Sequence, residues 1–337
     1  MFKKLLTTAL VSMLTITAVG CTKQETKEDI ISIGMVTDVG GINDGSFNES
    51  AYKGLLKAKE TLGIDVVYVE SRQESDYASN IETLIDQDVD LILGVGYAMT
   101  EQFEEAAKQY PDRKFALIDG EFVEVPENVL NIKFKEQEAG YLAGVLAAKT
   151  SNTDVIGFIG GMKAPVVDRY KYGFIAGVKD TKPNATVLEQ YANSFTDTSK
   201  GRAIADHMIL KNADIIFHAA GPVGNGMFEA LKEKNLLGIG VDTNQNSIAP
   251  QTVLTSAVKN LDIATYELSE CLLTGNFKGG ETKLNDLTNA GVGIVDPITV
   301  VTDEAIVAVK KAKEKIITGD IIVPSTLQEY GNYVSSK

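Results

Sequence analysis

Gly34-Met35-Val36-Thr37-Asp38-Val39-Gly40-Gly41-Ile42-Asn43-Asp44-Gly45-Ser46-Phe47-Asn48 decides how this chain is read. Before it, Ile30-Ile31-Ser32-Ile33 is apolar and β-branched. After it, Tyr52-Lys53-Gly54-Leu55-Leu56-Lys57-Ala58 has helical spacing, so the stretch forms a strand-to-helix turn. In open α/β sheets ligands bind at the carboxyl ends of the strands, and this turn brings two carboxylates, two amides, a hydroxyl and an aromatic ring there. A phosphate cradle fits poorly. Gly40 and Gly45 stand five apart as in a P-loop, but Ser46-Phe47 replaces the Lys-Ser/Thr pair, Asp38 and Asp44 repel an anion, and the stretch holds no G-x-G-x-x-G. The plain structural alternative is a polar turn whose glycines serve only unusual φ angles. If the turn is a site, its ligand is neutral, with hydroxyl or amine donors and a flat face.

Motifs further along extend the pattern: Ile118-Asp119-Gly120, Asn193-Ser194-Phe195-Thr196-Asp197, Ala219-Ala220-Gly221-Pro222-Val223-Gly224-Asn225-Gly226, Gly240-Val241-Asp242 and Ser256-Ala257-Val258-Lys259. Together with the opening stretch they resemble the basic membrane protein family of lipoproteins, the purine-nucleoside receptors of bacterial ABC importers, over nearly the whole mature chain. The resemblance implies a monomeric, extracytoplasmic solute-binding protein of the cell membrane. Such a protein captures nucleosides and hands them to ABC permease and ATPase subunits, with no cofactor, metal or catalytic residue.

The ends suit that expectation. Lys3-Lys4, an apolar run from Leu5 to Val19 and Gly20 before Cys21 read as an export signal, too short and threonine-rich for the roughly 20 apolar residues of a membrane span. Ala18-Val19-Gly20-Cys21 looks like a lipobox, in which Cys21 is diacylated and becomes the mature N-terminus, and residues 22–29 read as a polar tether. The other thiol, Cys271, lies in an apolar helical stretch and is expected to be a small buried residue, so export brings no disulfide framework. Removing residues 1–20 takes away Lys3 and Lys4 and no acid, moving the net charge from −14 to −16, which makes nucleic acid an unsuitable partner. The remaining length exceeds a single typical domain.

Short β-branched runs alternate with helical patterns, as in parallel sheets built from βαβ units, and the alternation occurs twice. Glu70 to Asp90 leads into Leu91-Ile92-Leu93-Gly94-Val95; Ser194 to Asp214, of equal length, leads into Ile215-Ile216-Phe217-His218-Ala219. A glycine-containing turn, a helix (101–110 or 227–234) and a further strand ending in aspartate follow each time, so Asp119 and Asp242 occupy matching strand ends. Two similar sheets facing one another each aim a carboxylate into a cleft. The expected fold is an α/β, type I periplasmic-binding-protein clamshell with two doubly wound parallel-sheet lobes joined by three crossings. Residues 30–125 plus 258–288 form lobe 1 and residues 126–257 plus 289–337 form lobe 2. Crossings fall near 120–133, 255–261 and 287–297, and the tail at 314–324 is read as a helix end and a strand.

Phe47 and Phe195 lie just past strands of opposite lobes, so closure sandwiches a planar base between them; Tyr97 and Phe174 are reserves. The resemblance assigns Asp38, Asn43 and Asn48 to polar contacts around the base and hinge, and Asp119 to reading the base. It places Asp242 and Lys259 on the ribose side, with Gly221 and Gly224 letting backbone approach the sugar. Two rival classes remain at this point. A nucleoside hydrolase needs a dense aspartate cluster holding Ca²⁺, whereas glycines separate Asp38 from Asp44; His207 and His218 belong to no evident metal or triad pattern. A receptor that senses nucleosides without transport fits the same residues.

Overall fold

The computed structural model describes residues 30–297 and 301–336. Cys21, the export signal and residues 22–29 fall outside them. The first five strands, β1 (Ser32–Thr37), β2 (Asp65–Val69), β3 (Leu91–Val95), β4 (Lys114–Ile118) and β5 (Val129–Phe134), pair in parallel and are separated by α1 (Phe47–Leu62), α2 (Tyr77–Asp86) and α3 (Thr100–Gln109). After β5 the chain enters α4 (Glu136–Thr150) and a second set, β6 (Val155–Gly160), β7 (Thr186–Tyr191), β8 (Ile215–Ala219), β9 (Leu237–Asp242) and β10 (Val253–Lys259), separated by α5 (Pro165–Thr181), α6 (Thr198–Leu210) and α7 (Val223–Glu233). It then passes through α8 (Leu261–Leu273), β11 (Glu281–Asn285) and β12 (Val292–Ile294) to α9 (Asp303–Ile317) and α10 (Leu327–Ser335).

The strand orders are β11-β5-β4-β3-β1-β2 and β12-β10-β9-β8-β6-β7, the same winding written twice. Each sheet is parallel throughout, apart from the antiparallel β10–β12 edge. This is a two-lobed type I fold. The lobes exchange chain after their fifth strands: β5 feeds α4, which packs on α5 of the second lobe, and β10 feeds α8, which packs on α1 of the first. The third passage runs from β11 to β12.

The structure moves one expected boundary. Residues 126–134 were expected in lobe 2, but β5 pairs with β4 and β11 in the first sheet, so the chain leaves lobe 1 after Phe134. The cause is visible in Val129-Leu130-Asn131-Ile132-Lys133-Phe134. Its alternation carries a polar Asn131 into the sheet, where the side chain is buried and its Nδ2 donates to Gly120 O, and such a strand reads as a connector. Residues 320–325 are bends and irregular chain rather than a strand, and Cys271 is partly exposed. Among the described residues no helix is long and apolar enough to cross a membrane.

The sheets are buried on both faces, which accounts for their near-continuous apolar runs: Leu91-Ile92-Leu93-Gly94-Val95 and Ile215-Ile216-Phe217-His218-Ala219 have no exposed residue. The repeat also extends to the backbone. Asp119 and Asp242 both adopt φ 63°, a left-handed conformation that aspartate tolerates better than most residues, and it turns each chain away from its sheet at the cleft.

Candidate ligand site between the lobes

The carboxyl ends of β1, β4, β9 and β10 line a cavity between the lobes. Of the residues singled out in the sequence, Asp38, Phe47, Tyr97, Asp119, Phe195, Gly221, Asp242 and Lys259 line it. Three do not. Asn43 is exposed; Asn48 is buried behind the wall; and Gly224 lies under a buried histidine, where a Cβ would stand 2.1 Å from His218 Cε1. Gly224 therefore lets α7 settle on the His218 ring instead of bringing backbone to a ligand. Phe174 is likewise fully buried, packed against Phe158 and Phe217.

The opening turn is built around Asp44. Its Oδ1 accepts from the amides of Ser46 (2.9 Å) and Glu49 (3.1 Å), and its Oδ2 from the Asn48 amide (2.8 Å) and Nδ2 (3.0 Å). These are the N–H groups that α1 leaves without intrahelical partners, so Asp44 caps the helix whose first residue is Phe47. Asn48 joins this cap to Asp38: its Nδ2 donates to Asp38 Oδ1 (2.7 Å) and its Oδ1 accepts from the Asp38 amide (3.2 Å), while the Gly40 amide also donates to Asp38 Oδ1 (2.8 Å). No hydrogen bond from the described residues reaches Asp38 Oδ2, which faces Gly96, a residue with φ 130° whose Cβ would lie 3.4 Å from that oxygen. Burial pushes the Asp38 carboxyl up to about 6, against the hydrogen bonds from Asn48 and Gly40.

At the other end Lys259 is 1 % exposed, and its Nζ donates to Asp119 Oδ1 (2.7 Å), Asp119 Oδ2 (2.5 Å) and Glu136 Oε1 (2.7 Å). An ammonium has three protons, so these contacts use its donor capacity. Burial works against the Lys259 charge, but the facing carboxylates outweigh it and raise its pKa. The pairing continues from Glu136 Oε2 to Arg169 Nε (2.5 Å), from Arg169 Nη1 to Glu121 Oε1 (3.0 Å), and from Glu121 Oε2 to Lys133 Nζ (2.7 Å). Signs alternate along this chain, which neutralises itself and leaves Asp38, Asp44 and Asp242 as the lining carboxylates without an ion-pair partner among the described residues; of these Asp44 is spent on the helix cap.

Asp242 is held from both lobes. Ser46 Oγ donates to its Oδ2 (2.6 Å) and Tyr170 OH to its Oδ1 (3.4 Å), while burial pushes its carboxyl up to about 6 despite Lys259. Beside it, Thr243 Oγ1 and Gln245 Nε2 both donate to Gly45 O, at 3.3 and 3.5 Å. The conformation is therefore closed, with residues 45–46 of the first lobe latched to residues 242–245 of the second. Sequence reasoning missed Tyr170, Glu136 and Arg169. Nothing local distinguishes a glutamate that opens a helix, or a tyrosine within one, from its surface counterparts. Ser46 stood in the quoted motif without a role. Among the described residues no group of three or more His, Cys, Asp or Glu is placed to hold a metal ion.

Similar proteins are known. The family described as ABC transporter substrate-binding protein PnrA-like (Bmp) matches residues 31–327. A CD4+ T-cell-stimulating antigen of Listeria monocytogenes is 39 % identical over 316 residues, which cover 87 % of this chain and 88 % of that protein. The ABC transporter nucleoside-binding protein BmpA of Lactococcus lactis is 35 % identical, across 90 % of this chain and 92 % of its own. Among solved structures, a solute-binding protein of an ABC transporter system from Aeropyrum pernix K1 aligns with a TM-score of 0.83 at 27 % identity, covering 90 % of this chain and 96 % of that one.

Proposed function

The chain belongs to the PnrA-like family of ABC transporter substrate-binding proteins, and from that premise we propose that it captures purine nucleosides between its lobes and delivers them to an importer. The observation that carries this reading is that Phe47 and Phe195, one from each lobe, line the same cavity as the carboxylates of Asp38 and Asp242, neither of which has an ion-pair partner among the described residues or is taken up by the helix cap as Asp44 is. Two rings suit a planar base, with stacking contributing roughly 1 to 3 kcal/mol. A carboxylate accepts from a ring N–H, an exocyclic amine or a sugar hydroxyl, and repels a phosphate, so a nucleoside fits where a nucleotide does not.

The open Oδ2 of Asp38 supports giving it the base-reading role that the resemblance assigned to Asp119, whose oxygens are engaged by Lys259. Asp242, already accepting a hydroxyl proton from Ser46, is suited to a ribose diol. Lys259 and Asp119 then close the sugar end as a fixed pair. In this reading Cys21 carries the lipid that keeps the protein on the extracytoplasmic face of the membrane, and the mature protein is a monomer.

Mass spectrometry of small molecules released on denaturing the purified protein, followed by titration calorimetry with adenosine, guanosine and inosine, tests the reading. A nucleoside among the released molecules and saturable binding are expected. Failure to bind any of the three overturns it, and release of free base during incubation transfers the case to a hydrolase. Retention of a Cys21→Ser protein in the membrane fraction would remove the anchor.

A further inference from the structure

The cleft does not end at Asp38. A second cavity shares Asp38, Gly96, Tyr97 and Phe195 with the first and continues past them. Its far wall is supplied by both lobes: Glu74, Tyr77 and Ala98 from the first, Met162, Ser194 and Thr196 from the second. Gly96 lines both chambers. Its φ of 130° and missing side chain leave space beside Asp38 Oδ2, the oxygen without a partner among the described residues.

We infer that this annex accepts a substituent on the base, so that the protein binds purine nucleosides enlarged at the edge that faces Asp38, provided the substituent is neutral or cationic. The inference rests on the proposed placement of the base against Asp38. The wall chemistry sets the class. Tyr97, Phe195 and Met162 offer an aromatic and thioether surface; Ser194 and Thr196 offer hydroxyls; Asp38 and Glu74 are acidic, and no basic side chain lines the space. Both carboxylates also face the Tyr77 hydroxyl and, with burial, push its pKa up. An anionic substituent meets two like charges there, whereas an aromatic one stacks. A secondary amine at the purine 6-position keeps one N–H for Asp38 Oδ2 while carrying such a group outward.

The test compares adenosine, N6-benzyladenosine and N6-carboxymethyladenosine by titration calorimetry on wild type, Thr196→Trp and Glu74→Gln. Thr196 and Glu74 are exposed and line the second cavity but not the first, so both variants are expected to keep the fold and adenosine binding. Wild type is expected to bind the benzyl compound within about tenfold of adenosine and the carboxymethyl compound more than about tenfold more weakly than the benzyl one. Thr196→Trp, which fills the annex, should weaken the benzyl compound by at least about tenfold and adenosine by less than about threefold; Glu74→Gln should recover part of the carboxymethyl loss. The annex is ruled out if wild type binds adenosine but loses the benzyl compound by more than about tenfold, or if Thr196→Trp weakens both ligands alike, as blockage of an entry path would. Failure of adenosine itself to bind strikes the nucleoside reading instead.

Discussion

Asp119 and Asp242 stand at matching strand ends of the two lobes with the same φ of 63°, and their surroundings have nothing else in common. Asp119 is clamped by Lys259 within a chain of alternating charges; Asp242 forms no ion pair among the described residues, feels Lys259 only at longer range, and accepts from the hydroxyls of Ser46 and Tyr170. The repeated fold sets where each carboxylate is. The exchange of chain between lobes sets what it meets, because Lys259 ends β10 and Glu136 begins α4, both at passages between lobes. One aspartate has thereby become structural, and the other is left for ligand and closure.

The same substitution at both positions breaks or sharpens that contrast, with asparagine keeping the left-handed backbone. Asp119→Asn deprives buried Lys259 of its bidentate partner and should cost about 3 kcal/mol of stability, read as a lower denaturation midpoint without ligand. An unchanged midpoint would show the pair to be dispensable. Asp242→Asn should leave the midpoint within about 1 kcal/mol and instead weaken riboside binding by about ten- to a hundred-and-fifty-fold, the loss of a hydrogen bond to a charged group. Its preference for a riboside over the 2′-deoxy analogue should shrink with it, which calorimetry of both ligands reads; a retained preference removes Asp242 from the sugar.

A pH series separates the two further. Asp38 and Asp242 are raised from the ordinary 3.8 to about 6 by burial, so the folded protein binds more protons than the unfolded chain between those values. Both groups therefore oppose folding at neutral pH, and that opposition fades as pH falls through 6 toward 4. Ligand donors need the ionised form, so affinity should move the other way, weakening by up to about tenfold per pH unit for each carboxylate below 6. Calorimetry from pH 7.5 to 5 should show this, with a shallower slope in Asp242→Asn. Affinity flat over that range would mean neither carboxylate meets the ligand. The smallest effect is expected of Ser46→Ala, which removes one cross-lobe hydrogen bond worth about 0.5 to 1.5 kcal/mol and should enlarge the scattering radius of the ligand-free protein. An unaltered radius would leave closure to Gly45 and its partners.

The doubled winding was legible because period and spacing are local: the equal intervals before β3 and β8 recur as equal strand order. The first boundary was not, since Asn131 and Lys133 make an interior strand look like a connector. The lining residues on strand ends and glycine turns could be read from the motifs. What each does could not: Lys259 is spent on Asp119 and Glu136, which lie 140 and 123 residues away, and although Asn48 and Gly224 stand close in sequence to Asp38 and His218, only the folded turn and helix bring their side chains and backbone together. Asn43 was carried in by its place in the motif, but its side chain is exposed on the turn.

The Asp44 cap has a consequence for the order of events. Its partners lie between Ser46 and Glu49, and through Asn48 it orients Asp38, so the Asp38 and Phe47 part of the site is held by first-lobe residues alone. The second lobe's half is different, because Asp242 takes its partner Ser46 from across the cleft. On the proposed reading an arriving solute should dock first on the first lobe, with the association rate constant reporting Asp38 and Phe47. Substitutions at Asp242 should then leave that rate unchanged and shorten the residence time, as stopped-flow binding would read.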